Sequence, residues 1–352
     1  MKRMLCVLGA LGLIGCSPDY AEPSDTPVRQ SAPESPGIQR AFYYEGQVWI
    51  LDNEGRLATL NREKGVRVDQ ALPERGRDMC LRDGALWMLT GVTDSPRRVL
   101  RRKVGSEWRT EANLPDDPAP LVGMDCTGDA ITVLTRQRIA EIHKGEVKVQ
   151  TLEKPIQIQD DSSELNTALF KNADYLYAGL NAGEFATGLY LINRKTAQTI
   201  AMGMAERDDS CSNINSIMCH NIYAMTYVPW QRECFALAAS MPMMPEAGIL
   251  KLCGRQGSVL YERPGYEPER YMRFYDLLAV GDRLVALGEN GVYQFKDGKL
   301  VSRTPYPKLE AISGISVNFG DPDYILIDTL PNYGTSKGYG FRLIPRAPPE
   351  PR

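Results

Sequence analysis

Apolar and polar residues alternate in short runs along most of the chain, and turn residues interrupt the runs about every 8 to 12 positions, the pattern of half-buried strands. No stretch keeps a helical period over three turns, so the pattern predicts β-structure throughout. One unit, a turn followed by an alternating strand, recurs as EGQVWILD (45–52), DGALWMLT (83–90), GDAITVLT (128–135), NADYLYAG (172–179), QRECFALA (231–238), GDRLVALG (281–288) and DPDYILID (321–328). A second hairpin follows, often opened by glycine, as in GLYLI (188–192), GILKL (248–252), GVYQF (291–295) and GFRLI (340–344).

The aligned anchors Val48, Leu86, Ile131, Tyr175, Cys234, Leu284 and Tyr324 lie roughly 40 to 60 residues apart, the scale of a four-stranded propeller blade. The outermost strand often stops at a proline (Pro73, Pro115, Pro155, Pro264, Pro307), which suits an edge that needs no N–H. The expected fold is therefore all-β, a β-propeller of seven blades with mainly four antiparallel strands each, A (inner) to D (outer). Six and eight blades are the alternatives, with 204–221 the segment where the count could slip. The seventh blade runs out after its third strand near Pro345, and 27–34 (PVRQSAPE) is the candidate for the missing strand.

The first residues follow a different pattern. Lys2 and Arg3 precede an apolar run, MLCVLGALGLI (4–14), too short to be a permanent membrane span. Leu13-Ile14-Gly15-Cys16 closes it and resembles the lipobox of bacterial lipoproteins. That resemblance implies diacylglycerol on the Cys16 thiol, cleavage before it, acylation of the new amine and stable anchoring by several acyl chains. Ser17 in place of an aspartate favours the outer membrane. The implied organisation is a signal peptide over 1–15, a lipidated cysteine and proline-rich tether over 16–37, a propeller over 38–346 and a tail over 347–352. If mostly extended, the tether reaches roughly 60 Å from the membrane.

Six cysteines remain in the body, an even number that fits disulfides in an exported domain. Antiparallel pairing of strands B and C in blade five puts Cys234 beside Cys253. Cys80 and Cys126 lie on the inner strands of neighbouring blades, with offsets from their anchors that differ by one residue. Cys211 and Cys219 would close a small loop. The net charge of −3 argues against nucleic acid as a partner, and 43% hydrophobic residues suffice for a core. The basic run Arg97, Arg98, Arg101, Arg102, Lys103 is expected on a solvated strand of blade two.

Strand order separates the connections. A–B and C–D turns leave one face, B–C and D–A loops the other, and the long segments all belong to the second class: 91–96, 155–165, 179–187, 204–221, 240–247 and 329–338. Long loops on a rigid scaffold are where binding concentrates. The expected binding surface lies over blades four and five, with Phe185, Met218, His220, Trp230, Met241, Met243 and Met244 as candidates. The methionines suit loop packing, an adaptable protein-binding patch, or Cu(I) with His220 as a fourth ligand.

Catalytic signatures do not appear. There is no GxSxG, HExxH, CxxC, P-loop or EF-hand pattern, and neither His143 nor His220 has a nucleophile motif beside it. Asp78 and Asp125 lie on inner strands, where a propeller hydrolase or lactonase could hold a divalent metal or where carboxylates simply bond to backbone amides. Asp160-Asp161 and Asp208-Asp209 fit solvated loop charges or a hard cation. The turns LNREKG and INRKTA resemble those of quinoprotein-type repeats, but the expected Trp is absent and no function carries over. The leading expectation is an envelope lipoprotein that binds a protein partner without a cofactor. The rivals are a channel-centred metal hydrolase and a glycan-binding module using aromatics such as Trp230 or Tyr333.

Overall fold

A computed structural model describes residues 38–61, 65–68, 72–92, 95–157, 167–181, 188–202, 220–240, 247–254, 256–262, 273–288, 291–305, 315–318, 324–329 and 341–345. Among them the chain forms six four-stranded antiparallel sheets, each a plain meander whose four strands pair in sequence order. The first strands, here called A, are Ile38–Tyr44, Gly76–Arg82, Leu121–Asp125, Ala168–Lys171, Asn221–Val228 and Phe274–Val280. Each packs against the first strand of the next sheet, so the A strands line a common axis and the sheets radiate from it as blades.

The expected count of seven blades, most of them four-stranded, is corrected to six. Six blades carry four strands, and the last module is a three-stranded sheet of Ile315–Asn318, Tyr324–Thr329 and Phe341–Pro345 that contacts blade six. The candidate extra strand at 27–34 lies outside the described residues. All seven anchor residues fall in the second strand, B, of their sheets.

Strand composition follows position in the blade. The B strands are enclosed on both faces and read as near-continuous apolar runs: QVWILD (47–52) is buried at every position after the first, and ITVLT (131–135) throughout. The outer D strands alternate or face solvent, as in EWRTEAN (107–113) and EVKVQT (146–151). The core therefore lies between blades. Leu134, Ile139, Leu176 and Ile192 fill the space between blades three and four, and Phe274, Leu284, Tyr293 and Phe295 that between five and six.

Four of the short connections are two-residue hairpin turns with positive φ at both central positions, Glu45-Gly46, Asp83-Gly84, Lys144-Gly145 and Asp297-Gly298. That is the type I′ turn whose twist matches the strands, and it leaves one end of the ring tightly closed. The long connections all leave from the other end.

Both described cysteine pairs are bonded. Cys234 and Cys253 face each other across strands B and C of blade five, with Cα atoms 4.3 Å apart. Cys80 and Cys126 join the inner strands of blades two and three across 6.0 Å. Such bridges persist in oxidising compartments and fit an extracellular or envelope location. Cys211 and Cys219 lie outside the described residues.

The basic run of blade two is a solvated face only in part, with Arg97 exposed and Lys103 buried. Lys103 is 6% exposed, its ammonium 5.0 Å from the Trp49 ring and 5.1 Å from Trp108. Arg102 pairs with Glu111 at 2.7 Å and lies over Trp87, and Arg101 pairs with Glu74 at 3.6 Å. Cation–π contact and neighbouring carboxylates compensate charges that the blade-to-blade packing encloses.

Candidate functional site

Five inner strands carry a β-bulge near their start. The register skips Gln39, Arg77, Val122, Tyr223 and Tyr275 in blades one, two, three, five and six. A bulge inserts one extra residue, bends the strand and re-aims side chains. Gln39, Tyr223 and Tyr275 line the axial cavity, whereas Arg77 and Val122 line a separate cleft. The axial cavity, about 280 Å³, is walled by inner-strand residues of all six blades, among them Gln39, Tyr223, Tyr275, Asp276, Met124 and Met225. Tyr223 and Tyr275 meet edge to face at 5.9 Å.

The carboxylates singled out as metal candidates are held in buried ion pairs. Asp78 is 1% exposed. The Arg40 Nε donates to its Oδ1 at 2.9 Å, Met79 N donates to Oδ1 at 2.8 Å, and Met124 N of the next blade donates to Oδ2 at 2.6 Å. Arg40 also donates from Nη2 to the Thr167 carbonyl at 2.8 Å, at the entry to blade four. One ion pair thus fastens four blades around the axis. Asp125 lies 3.3 Å from the Lys171 ammonium, which also donates to Ala130 O at 2.5 Å and Thr132 Oγ1 at 2.9 Å. Burial holds the Lys171 pKa below the usual lysine range, and Asp125 opposes that fall. No group of three or more His, Cys, Asp and Glu residues suited to a metal occurs among the described residues.

A second concavity, about 200 Å³, opens on the long-loop face over blades one to three. The bulge of blade two supplies Arg77, the B–C connection of blade two supplies Gly91, Val92 and Ser95 to Arg98, and the crossing into blade three supplies Pro118 and Pro120 to Gly123. Among the described residues, Arg77, Arg97, Arg98 and Asp78 are the charged ones that line it, and Arg40 engages Asp78. Arg98 is locked in place: it donates to Asp117 O at 2.8 Å and Ala119 O at 2.6 Å. Asp117 is fixed in turn, its carboxylate accepting from Ala119 N at 2.9 Å and Thr135 Oγ1 at 2.8 Å. Burial pushes the Arg98 pKa down, the Asp117 charge resists this, and the neighbouring Arg77 adds to the fall. Arg97 is exposed at the rim beside Val92, which is 60% exposed.

Few of the expected binding residues can be placed. Met218, Met241, Met243, Met244 and Phe185 lie outside the described residues, as do Tyr333 and the acidic pairs 160–161 and 208–209. His220 is fully buried, and its carbonyl accepts from Gly188 N at 2.9 Å; burial removes it from an open copper site. Trp230 sits in the A–B turn of blade five, half-buried against the core between blades five and six, on the face opposite the long loops. It is not the exposed aromatic that glycan stacking needs. The arginine cleft was missed because its residues come from two segments about 20 positions apart plus a crossing, and read singly they look like surface charges. The signal present in the sequence was the long 91–96 loop followed at once by two arginines.

No protein-family model matches the chain, and no curated protein matches it. Among solved structures it is similar to YCF48 bound to D1 peptide, with a TM-score of 0.55 and 12% identity over 91% of this chain and 96% of that one. It is similar to the beta-propeller domain of Myceliophteria thermophila Cps50 (Swd1), with a TM-score of 0.50 and 13% identity over 83% of this chain and 94% of that one. It is also similar to the extracellular domain of BT4673 from B. thetaiotaomicron, with a TM-score of 0.52 and 14% identity over 89% of this chain. The chain spans only 38% of that larger protein. At such identities likeness speaks to fold alone: the chain has the β-propeller fold, with four-stranded antiparallel blades.

Proposed function

We propose that this chain is an envelope lipoprotein, anchored through lipid on Cys16, whose propeller binds a protein partner on its long-loop face. The observation that carries the reading is the asymmetry of the ring. One end is closed by tight type I′ turns, while the other gathers the long connections, the bulged inner strands and a charged cleft. Both disulfides fit an oxidising compartment, and 16–37 has the composition of a tether. The carboxylates that a channel hydrolase would use are committed to Arg40 and Lys171, which favours recognition over that alternative.

In-cell crosslinking followed by mass spectrometry tests the reading. The full chain should capture a discrete envelope partner, and Cys16→Ala should remove the chain from the membrane fraction. A wild-type chain that captures nothing specific, or a Cys16→Ala chain that stays membrane-bound, would overturn it. Deleting 240–247 asks whether the methionine-rich loop contributes, and undiminished capture would remove that loop from the surface.

A further inference from the structure

We infer that the Cys80–Cys126 bridge is a thiol-exchange site, opened and closed by a small thiol or dithiol entering the axial cavity, and that it acts as a redox-sensitive clasp between blades two and three. The inference goes beyond partner binding and stands or falls apart from it.

Access comes first. Both cysteines line the axial cavity, about 280 Å³ in volume. The residue after each of them, Leu81 and Thr127, lines the same cavity and is exposed. The bridge therefore sits one residue inside a solvent-open mouth, at the end of the ring that carries the Asp83-Gly84 turn. Cys80 and Cys126 are themselves 7% and 6% exposed, so a reagent meets them by entering and not by docking on the surface. Exchange requires a thiolate to reach a disulfide sulfur, and access helps set its rate. A cavity of this size admits a molecule such as dithiothreitol and excludes a folded protein.

Retention of the seam comes second. Two residues before each cysteine, the Asp78 carboxylate accepts from Met124 N at 2.6 Å. Arg40 ties the same carboxylate at 2.9 Å and the Thr167 carbonyl at 2.8 Å. Asp125, next to Cys126, is held by Lys171 at 3.3 Å. These ties fix both inner strands when the covalent link is absent, and so keep the two thiols opposite each other for closure. Opening loosens the mouth end of the seam and leaves the end that borders the arginine cleft bound.

The exchange balances with a dithiol as the reductant. One of its thiolates attacks a sulfur of the bridge, forms a mixed disulfide and breaks the Cys80–Cys126 bond. The cysteine released takes a proton. The second thiolate then attacks the reagent's own sulfur in the mixed disulfide, closes the reagent into a cyclic disulfide and releases the other cysteine, which takes the second proton. Two electrons pass from the dithiol to the protein, and the oxidised dithiol reverses both steps.

The test uses the purified full chain and dithiothreitol in native buffer. Samples are quenched with N-ethylmaleimide and each bridge is followed by peptide mass spectrometry, with circular dichroism as the measure of folding. Cys80–Cys126 should open at a rate that does not change with urea below the unfolding transition. Oxidised dithiothreitol should close it again, with circular dichroism unchanged throughout. Leu81→Ala widens the mouth and should speed opening, and Leu81→Trp narrows it and should slow opening, the two rates differing by at least about tenfold because exchange follows access. The Cys234–Cys253 bridge lies on strands B and C of blade five, away from the axis, and should keep one rate in all three chains. Opening that accelerates with urea in step with unfolding, or that occurs only with loss of the circular dichroism signal, would overturn the inference, because the bridge would then react through the unfolded chain. So would equal rates in Leu81→Ala and Leu81→Trp. The urea series needs only the wild-type chain and decides the matter if a variant does not fold.

Discussion

The seam between blades two and three and the seam between blades four and five perform the same task with different chemistry. Both press two sheet faces together over a buried apolar layer. The first adds a disulfide, Cys80–Cys126, and a carboxylate, Asp78, that accepts from a backbone amide of the neighbouring blade. The second relies on aromatic packing, with Phe235 ring centres 4.7 Å from both Phe170 and Tyr177, and on a close approach of Ile222 to Gly179. The first seam borders the arginine cleft through Asp78 and Leu121 to Gly123, while its disulfide lines the axial cavity. The second seam is held by dispersion and ring geometry.

Four outcomes would break or sharpen this contrast. The largest effect is expected from Cys80→Ser with Cys126→Ser. The bridge spans 46 residues, and loop closure on that scale corresponds to about 4 kcal/mol. The bridge of blade five spans 19 residues, so its loss should cost about 3 kcal/mol. Urea denaturation of each double variant measures both, and an equal or reversed order would remove the special role of the first seam.

The next effect is that of Asp125→Ala. It leaves the Lys171 ammonium enclosed without its carboxylate, and a broken buried pair costs roughly 3–5 kcal/mol. Ala130 O and Thr132 Oγ1 remain as acceptors, which places the expected loss at about 3 kcal/mol. The pH dependence has a definite sign. The folded Lys171 pKa lies below its ordinary value, so the unfolded chain binds more protons between the two. Stability therefore rises with pH across that interval, and the deficit of Asp125→Ala should shrink as the solution is made alkaline. A deficit that grows with pH would refute the pairing.

Gly179→Ala should cost about 2 kcal/mol, as overpacking does, because an added methyl would stand 2.5 Å from Ile222 Cγ2. That loss should not respond to pH, since only apolar atoms meet there, and calorimetry at two pH values would show it. The smallest effect is expected for Arg97→Glu, whose exposed side chain should leave the stability measured by urea denaturation within about 0.5 kcal/mol of wild type.

Much of the scaffold was legible in the sequence for local reasons. Period-two alternation located the seven B strands, and Asp-Gly and Lys-Gly pairs marked the I′ turns. Antiparallel register alone put Cys234 opposite Cys253. The Cys80–Cys126 pairing was harder, since Cys126 falls one residue beyond the position in blade three that matches Cys80, an offset set by how one blade leans on the next. The blade count was one too high, since six four-stranded blades form and the last module stops at the three strands expected of it. Solvent exposure was misread at two side chains, because chain patterning says nothing about it: Trp230 packs on the core, and Lys103 sits in a basic run yet lies between two indoles.

Sequence alone therefore determined what depends on neighbours along the strand: which residues extend, where the chain reverses, and which end of the ring each connection leaves from. Tertiary structure decided what depends on neighbours across the ring. Only the closing of blades brings Arg40 to Asp78 and to Thr167, carries Lys171 to Asp125, and gathers Arg77, Arg97 and Arg98 around one cleft. The physical reason is that strand periodicity fixes the direction of a side chain relative to its own sheet, whereas bulges, twist and blade-to-blade packing fix what stands opposite it.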